Sequence, residues 1–143
     1  MFKKLRKNEK GFTLAELLIV VAIIGVLVAI SIPIFTGQLE KAREATDAAN
    51  IRAAYAAVST DVLLDSQGDD TANGVKYTSG VYTAEVESTQ KEDNWQTLGT
   101  TNNTYMEIGG QKVAAQKNGA KWTITGTVST GVVAIAPAAT TTP

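Results

Sequence analysis

A run of 19 uncharged and mostly apolar residues, 17–35, lies near the start of this 143-residue chain and restricts the folds open to it. At about 1.5 Å per residue, a helix of this length is roughly 28 Å long, close to the ~30 Å hydrocarbon thickness of a bilayer. Residues 1–11 carry five basic side chains against Glu9, a net charge of +4, and the positive-inside rule places them in the cytoplasm. The sequence therefore predicts a single-pass membrane helix with the body of the chain outside.

Two simple explanations of this segment leave one residue unexplained. An ordinary secretory signal would be cut after the apolar run, and Ala29-Ile30-Ser31 offers a small-x-small site that would release a chain starting at Ile32. A permanent single-span anchor would instead keep the segment in the membrane. Neither explanation gives a reason for Glu16, a charge at the start of the apolar run where nothing obvious requires one.

The stretch Lys10-Gly11-Phe12-Thr13-Leu14-Ala15-Glu16-Leu17 is similar to the processing motif of type IV prepilins and pseudopilins. The resemblance covers residues 10–44 and fades into generic pattern beyond them. It implies that a membrane peptidase cuts after Gly11 and removes residues 1–11 as a basic leader. It also implies that the new terminal Phe12 is N-methylated and that Glu16 is important for assembly.

The resemblance also implies a mechanism for the charge. Cleavage after Gly11 would create a positive amine on Phe12, which in a staggered bundle can lie beside the Glu16 carboxylate of a neighbouring subunit. A charge at the centre of a membrane helix costs about 2.5–3.5 kcal/mol on insertion scales, so even near the helix end Glu16 requires a partner. We expect Glu16 to set the axial register of the subunits. Gly11 suits a peptidase that must accept extended backbone, although a flexible joint is the plainer reading.

Two residues predict weak helical order inside the apolar segment, residues 12–35. Pro33 removes one helix hydrogen bond and clashes with the preceding turn, which predicts a kink or local opening near residues 29–33. Gly25 costs about 1 kcal/mol relative to Ala in a helix. The resemblance, which includes both residues, implies that this stretch could melt in a filament, and a simple bend that shapes the helix is an equal alternative.

Residues 36–65 are alanine-rich and amphipathic, and we expect them to continue the helix. Small or apolar residues recur at steps of three or four on one face, and a second ridge widens that face for packing on a sheet. The first ridge is Leu39, Ala42, Thr46, Ala49, Ala53, Ala56, Thr60 and Leu63, and the second is Ala48, Ile51, Tyr55, Val58 and Val62. The charged side is interpreted as a solvated face or, alternatively, as a contact between subunits; it carries Glu40, Lys41, Arg43, Glu44, Asp47 and Arg52.

The carboxy-terminal half predicts a small antiparallel sheet. Residues 66–103 are rich in Gly, Thr, Asn and Ser and are predicted to connect the helix to the sheet, with a weak strand pattern at 78–86. Residues 104–136 contain four strand patterns separated by hairpin signals, at 104–108, 111–116, 121–127 and 132–136. Residues 137–143 are predicted to be disordered. The expected fold is α+β and type IV pilin-like, with the distal part of a long helix packed on three or four strands.

The composition argues against catalysis. The chain has no Cys and no His, so it lacks the usual thiolate metal site and the commonest general base. No nucleophile elbow, phosphate loop or paired-carboxylate motif is apparent, and Asp69 and Asp70 lack the alternating oxygen spacing of a calcium loop. Trp95, Tyr105 and Trp122 are interpreted as core or rim packing. The sequence therefore predicts a chain that is not an enzyme and has neither cofactor nor metal.

The resemblance implies a structural role and leaves alternatives open. It implies a homo-oligomeric helical filament, the extracellular type IV pilus, whose subunits meet a prepilin peptidase and N-methyltransferase, an assembly platform and minor pilins. A minor pilin with an adhesive or DNA-receptor head and a type II secretion pseudopilin are alternatives. Beyond residue 11 the net charge is −5, which disfavours broad nucleic-acid binding. The architecture serves twitching motility, adhesion, DNA uptake and signalling alike. The cysteine pair common in Gram-negative pilins is absent, a weak indication of a Gram-positive source.

Overall fold

The computed structural model describes residues 11–92, 94–96 and 105–138. The chain divides after Gly37 into two compact units. Residues 1–10 of the predicted leader and the predicted disordered tail beyond residue 138 lie outside the described residues. The elements are α1 (Leu14–Leu64), β1 (Lys76–Thr78), β2 (Val81–Glu87), β3 (Tyr105–Ile108), β4 (Gln111–Ala114), β5 (Lys121–Thr127) and β6 (Val132–Pro137). The predicted α+β class and the long amino-terminal helix are confirmed.

The first unit contains the apolar part of α1. By length and composition, this helix is suited to crossing a membrane. Its large apolar side chains are exposed in the isolated chain; Leu17 is 55% exposed and Phe35 is 63% exposed. The helix is uninterrupted at Gly25 and at Pro33. The apolar surface of this unit is therefore covered by nothing within the described chain.

The second unit packs α1 against a four-stranded antiparallel sheet with the strand order β1-β2-β5-β6. Strand residues alternate between buried and more exposed positions, as expected for a sheet with one face on a core. In the central pair, Ala84 lies opposite Ile124 and Val86 lies opposite Trp122, and all four side chains are buried. These residues form the face of the sheet that packs against α1.

The helix uses the second of its two predicted ridges for this contact. Ile51 and Val58 are fully buried and Val62 is 7% exposed, so the prediction for this ridge is confirmed. The first ridge was also expected on the sheet, and this is wrong: its residues are exposed, with Leu63 at 84%. Burying Ile and Val removes more apolar area from water than burying Ala and Thr, and this favours the observed rotation of the helix.

Gly126 on β5 lets the helix approach closely. A β-carbon added at this position would lie 2.6 Å from Val58 Cγ1, and it would come nearer still to Val62 Cγ2. Real side chains do not tolerate such distances, so only a glycine fits beneath these two valines. Gly126 faces the helix from the middle of the sheet, where it lies opposite Tyr82 and Val133.

The sheet differs in two ways from its prediction. Its first two strands, β1 and β2, lie within residues 66–103, which were predicted mainly as a connection, and β2 occupies a central position. Conversely, β3 and β4 do not join the four-stranded sheet but form a separate hairpin. Four short strand patterns in a row do not specify which strands pair, because pairing depends on contacts distant in sequence.

The side chain of Gln111 joins the hairpin to the sheet. Its Nε2 donates a hydrogen bond to the carbonyl of Val133, and its Oε1 accepts one from the N–H of Ile135 at 2.9 Å. One side-chain amide thus pairs with outward-facing backbone groups of β6 as a neighbouring strand would. This contact protects part of a sheet edge.

Two buried tryptophans pack in the core of the second unit and donate hydrogen bonds to the hairpin. Trp95 and Trp122 are fully buried and stack with their ring centroids 6.0 Å apart. Each indole N–H donates to a carbonyl of β4, Trp95 to Val113 at 2.9 Å and Trp122 to Ala114 at 2.8 Å. Their interpretation as packing residues agrees with this arrangement.

Candidate functional site

The start of α1 is closed by reciprocal hydrogen bonds between Thr13 and Glu16. Glu16 Oε2 accepts from Thr13 N at 2.8 Å and from Thr13 Oγ1 at 2.9 Å, while Glu16 N donates to Thr13 Oγ1 at 3.2 Å. This is a capping box, in which the residue before the helix and the third helical residue satisfy each other's backbone N–H groups. The arrangement holds the Glu16 carboxylate against Thr13, the residue that directly follows Phe12.

The capping box supplies a local role for Glu16 that the sequence interpretation did not consider. The spacing Thr-x-x-Glu before an apolar run is itself the signature of such a box and was available in the sequence. Glu16 Oε1 accepts no hydrogen bond from the described part of the chain, so one carboxylate oxygen stays available. Phe12 is 88% exposed. Gly11, Phe12 and Glu16 are thus brought together at one accessible helix end.

The other two predicted residues lie farther along the same helix. Within the described part of the chain, no heavy atom lies within 4 Å of a β-carbon added at Gly25, so no contact there requires a glycine. Pro33 lies in a stretch that is helical throughout, without the local opening predicted near residues 29–33. Ser31 Oγ donates to the carbonyl of Leu27 at 2.7 Å, which satisfies a hydroxyl in the apolar segment. Melting of this stretch in a filament stays a prediction.

A second cluster was missed by the sequence interpretation. Glu40, Glu44 and Asp47, at positions i, i+4 and i+7 of α1, were interpreted as a solvated face, yet they are 5%, 0% and 0% exposed. We name these three residues the carboxylate clasp. They receive hydrogen bonds from the segment that follows β2, so the interpretation is wrong for them. Their spacing on one helix face next to the core was the available signal.

The clasp binds backbone N–H groups of residues 89–92 and of Gln96. Asp47 accepts from the N–H groups of Thr89 at 2.9 Å and Gln90 at 3.1 Å, and from Thr89 Oγ1 at 2.7 Å. Glu40 Oε1 accepts from the N–H groups of Lys91 at 2.5 Å and Glu92 at 2.9 Å. Buried carboxylates are tolerated when several donors satisfy them in this way.

Glu44 and Arg43 complete the surroundings of the clasp. Glu44 Oε1 accepts from Gln96 N at 2.6 Å, and Arg43 Nη1 lies 3.2 Å from Glu40 Oε2. Burial raises the pKa of Glu40, but the N–H groups of Glu92 and Lys91 and the Arg43 guanidinium together hold it below its ordinary value. Glu40 is therefore ionised at neutral pH.

Asp61, near the end of α1, is buried like the carboxylate clasp but, within the described residues, lacks the hydrogen-bond donors that the clasp has. It is 7% exposed, and its Oδ2 has no hydrogen-bond partner in the described part of the chain. Burial, followed by the charge of Asp70, raises the pKa of Asp61. Within residues 11–92, 94–96 and 105–138, no three Asp, Glu, His or Cys side chains converge in a way that could hold a metal ion. Asp61 is thus a buried carboxyl group with one oxygen that accepts no hydrogen bond from the described residues.

Comparison with known proteins bears on the helix start. Residues 6–32 match the family model described as the prokaryotic N-terminal methylation motif. The type IV narrow pilus major component PilA5 of Thermus thermophilus is 50% identical over 52 residues, which cover 34% of this chain and 45% of that protein. This chain therefore spans less than half the length of that relative.

Two relatives match over most of both chains. The type IV major pilin protein PilE of Neisseria gonorrhoeae is 32% identical over 126 residues, 80% of this chain and 72% of that protein. The fimbrial protein of Neisseria meningitidis serogroup B is 30% identical over 122 residues, 80% of this chain and 71% of that protein. No solved structure matches with comparable significance. With the methylation motif at its start and pilins as relatives over most of its length, this chain belongs to the type IV pilin family.

Proposed function

We propose that this chain is the structural subunit of an extracellular type IV pilus. It is made as a membrane-held precursor, cut after Gly11, N-methylated at Phe12 and polymerised through the apolar part of α1. The observation that carries the proposal is the exposed apolar surface of the first unit. A soluble monomer rarely exposes a contiguous apolar patch of more than a few hundred Å², so this surface requires a cover. The membrane covers it before assembly, and neighbouring copies cover it afterwards.

The names of the relatives support a bulk subunit over a minor one. PilA5 is named a major component and PilE a major pilin. The carboxylate clasp and the stacked tryptophans occupy the head with internal contacts and support a structural role for it. A minor pilin and a secretion pseudopilin share the amino-terminal motif and are distinguished by copy number in filaments and by the assembly they enter.

Glu16 has two roles in this proposal, one within its own helix and one between subunits. Through Oε2 it caps its own helix, and through Oε1 it is available to the methylated amine of Phe12 in a neighbouring subunit. The two roles do not compete, because a carboxylate has lone pairs for several donors. The cap fixes the rotamer of Glu16 before assembly, which reduces the entropy lost when subunits pair.

Sheared filaments from the native cells test the proposal. Mass spectrometry of the sheared fraction is expected to find this chain as an abundant component that begins at N-methylated Phe12. A chain that begins at Ile32 would instead indicate an ordinary secretory signal. A chain found whole in the membrane and never in the sheared fraction would indicate a simple anchor. Either result would overturn the proposed processing and the account of Glu16.

A further inference from the structure

Residues 89–92 lie between two fixed points, and we name them the flap. On one side, Ser88 N donates to the carbonyl of Ala120 at 2.8 Å, which ties the chain to the start of β5. On the other side, the buried Trp95 indole donates to Val113 in β4. Neither attachment involves a group that titrates between neutral and acid pH. The flap itself is attached differently.

All four backbone N–H groups of the flap donate to two carboxylates, Asp47 and Glu40. An ionised carboxylate is purely an acceptor, whereas a protonated one carries a hydroxyl donor. Protonation would therefore place a donor against donors in a buried site and leave flap N–H groups without an acceptor. The attachment depends on the charge of these two groups.

Gln90 adds a cost to the closed flap. Its side chain is fully buried, and neither its Oε1 nor its Nε2 has a hydrogen-bond partner in the described residues. A buried amide without partners has lost its hydration and gained nothing in return. Opening of the flap would return this amide to water. The closed position is thus held by the carboxylates against an opposing contribution from Gln90.

We propose that protonation of Glu40 releases the flap while the four-stranded sheet stays folded, so that Glu40, together with the hydrogen bonds of Asp47, acts as an acid-operated latch. Charged groups near the latch are Arg43 and Glu44 on α1 and the side chains of Lys91 and Glu92 on the flap. The pKa of Glu40 in the closed flap lies below its ordinary value. Glu40 therefore stabilises the closed flap fully when the pH is above the ordinary value, and this stabilisation is lost as the pH falls through the lowered pKa. This inference is independent of the proposed pilus function.

Hydrogen exchange on the full-length chain in detergent micelles tests the latch. Exchange is followed by mass spectrometry at pH 7 and pH 3, with rates corrected for intrinsic exchange. The flap amides are expected to lose severalfold in protection at pH 3, while amides of β2 and β5 keep theirs. Unchanged flap protection, or equal loss in flap and sheet, would overturn the proposal.

Variants separate the latch from general acid effects. At pH 7, Asp47→Asn and Glu40→Gln should each lower flap protection severalfold, because the amide that replaces the carboxylate carries its own donor. Glu107→Gln, which changes an exposed carboxylate on β3, is the matched control and should have no effect. Gln90→Leu should shift flap opening to lower pH. If the Asn and Gln variants protect the flap as well as the native carboxylates do, the latch is not electrostatic and the proposal fails.

Discussion

The closest approach between α1 and the sheet gives the most quantitative prediction, for Gly126→Ala. In a strand, replacing Gly by Ala at a compatible position stabilises a protein by about 0.4–1 kcal/mol, because the unfolded chain loses freedom. At Gly126 the new methyl would lie 2.6 Å from Val58 Cγ1 and would also overlap Val62 Cγ2. The sign of the effect therefore depends on how much the overlap costs.

The overlap exceeds the entropic gain. Overpacking a core by one methyl group typically costs about 1–3 kcal/mol. Relief requires the two valines to leave their preferred helical rotamer, at about 0.5–1.5 kcal/mol each, or α1 to move away from the sheet. After subtraction of the entropic gain, we expect Gly126→Ala to destabilise the second unit by about 2 kcal/mol. For a domain of this size that lowers Tm by roughly 10 °C.

Chemical unfolding of the full-length chain in micelles, followed by fluorescence of the two buried tryptophans, measures this change. Gly68→Ala is the matched control, since its nearest contact would be Ser66 O at 3.9 Å, and it should be neutral or slightly stabilising. In a Val62→Ala background the cost of Gly126→Ala should fall by about 1 kcal/mol, as neighbouring sites couple. A change within 0.5 kcal/mol of zero in the native background, a limit on the order of surface effects, would refute the packing argument.

Four further predictions concern single groups described above. Glu16→Ala should abolish filaments but leave cleavage intact, whereas Thr13→Ala should weaken assembly only in part; electron microscopy and the mass of the amino terminus measure both, and normal Glu16→Ala filaments would contradict the register mechanism. Gly11→Val should leave an uncut precursor on a gel, and efficient cleavage would show that the peptidase does not require glycine. Asp61→Asn should raise the unfolding free energy at neutral pH, because ionised Asp61 destabilises the fold above its raised pKa; the gain should vanish as the pH falls below the ordinary Asp value, and a loss of stability at pH 7 would contradict this. Gln111→Ala should cost about 1 kcal/mol in the same unfolding assay by removing two hydrogen bonds to β6, and no change would mean that water replaces them fully.

The sequence carried the local features of the fold well. The apolar run and the alanine-rich continuation predict α1 almost to its end, and the alternating patterns locate β3 to β6 within about two residues. These signals depend on neighbours a few positions apart. The rotation of α1 was missed because its two ridges lie side by side, and only the three-dimensional contact with Gly126 selects the second. The pairing of β2 with β5 was missed for the same reason, since the two strands are distant in sequence.

The candidate site at the helix start rests on a motif, whereas the carboxylate clasp rests on burial. Gly11, Phe12 and Glu16 lie within one short stretch whose resemblance is readable from the sequence, and their roles in processing and assembly stay predictions. The cap between Thr13 and Glu16 was not predicted. The carboxylate clasp was misread because charge on a helix usually means solvent, and the partners of Glu40 and Asp47 are about fifty and forty positions away. Sequence alone does not place those donors beside the helix.

The side-chain amide of Gln111 affects whether the sheet edges of neighbouring subunits can pair. In the proposed filament, the second units of neighbouring subunits would be held at a high local concentration, and an open strand edge at such density would favour cross-β pairing between neighbours. Gln111 bonds to the carbonyl of Val133 and to the N–H of Ile135 on β6. These two backbone groups are therefore not available to pair with a strand of another subunit. Assembly through the helices can then proceed without a competing route through the sheets.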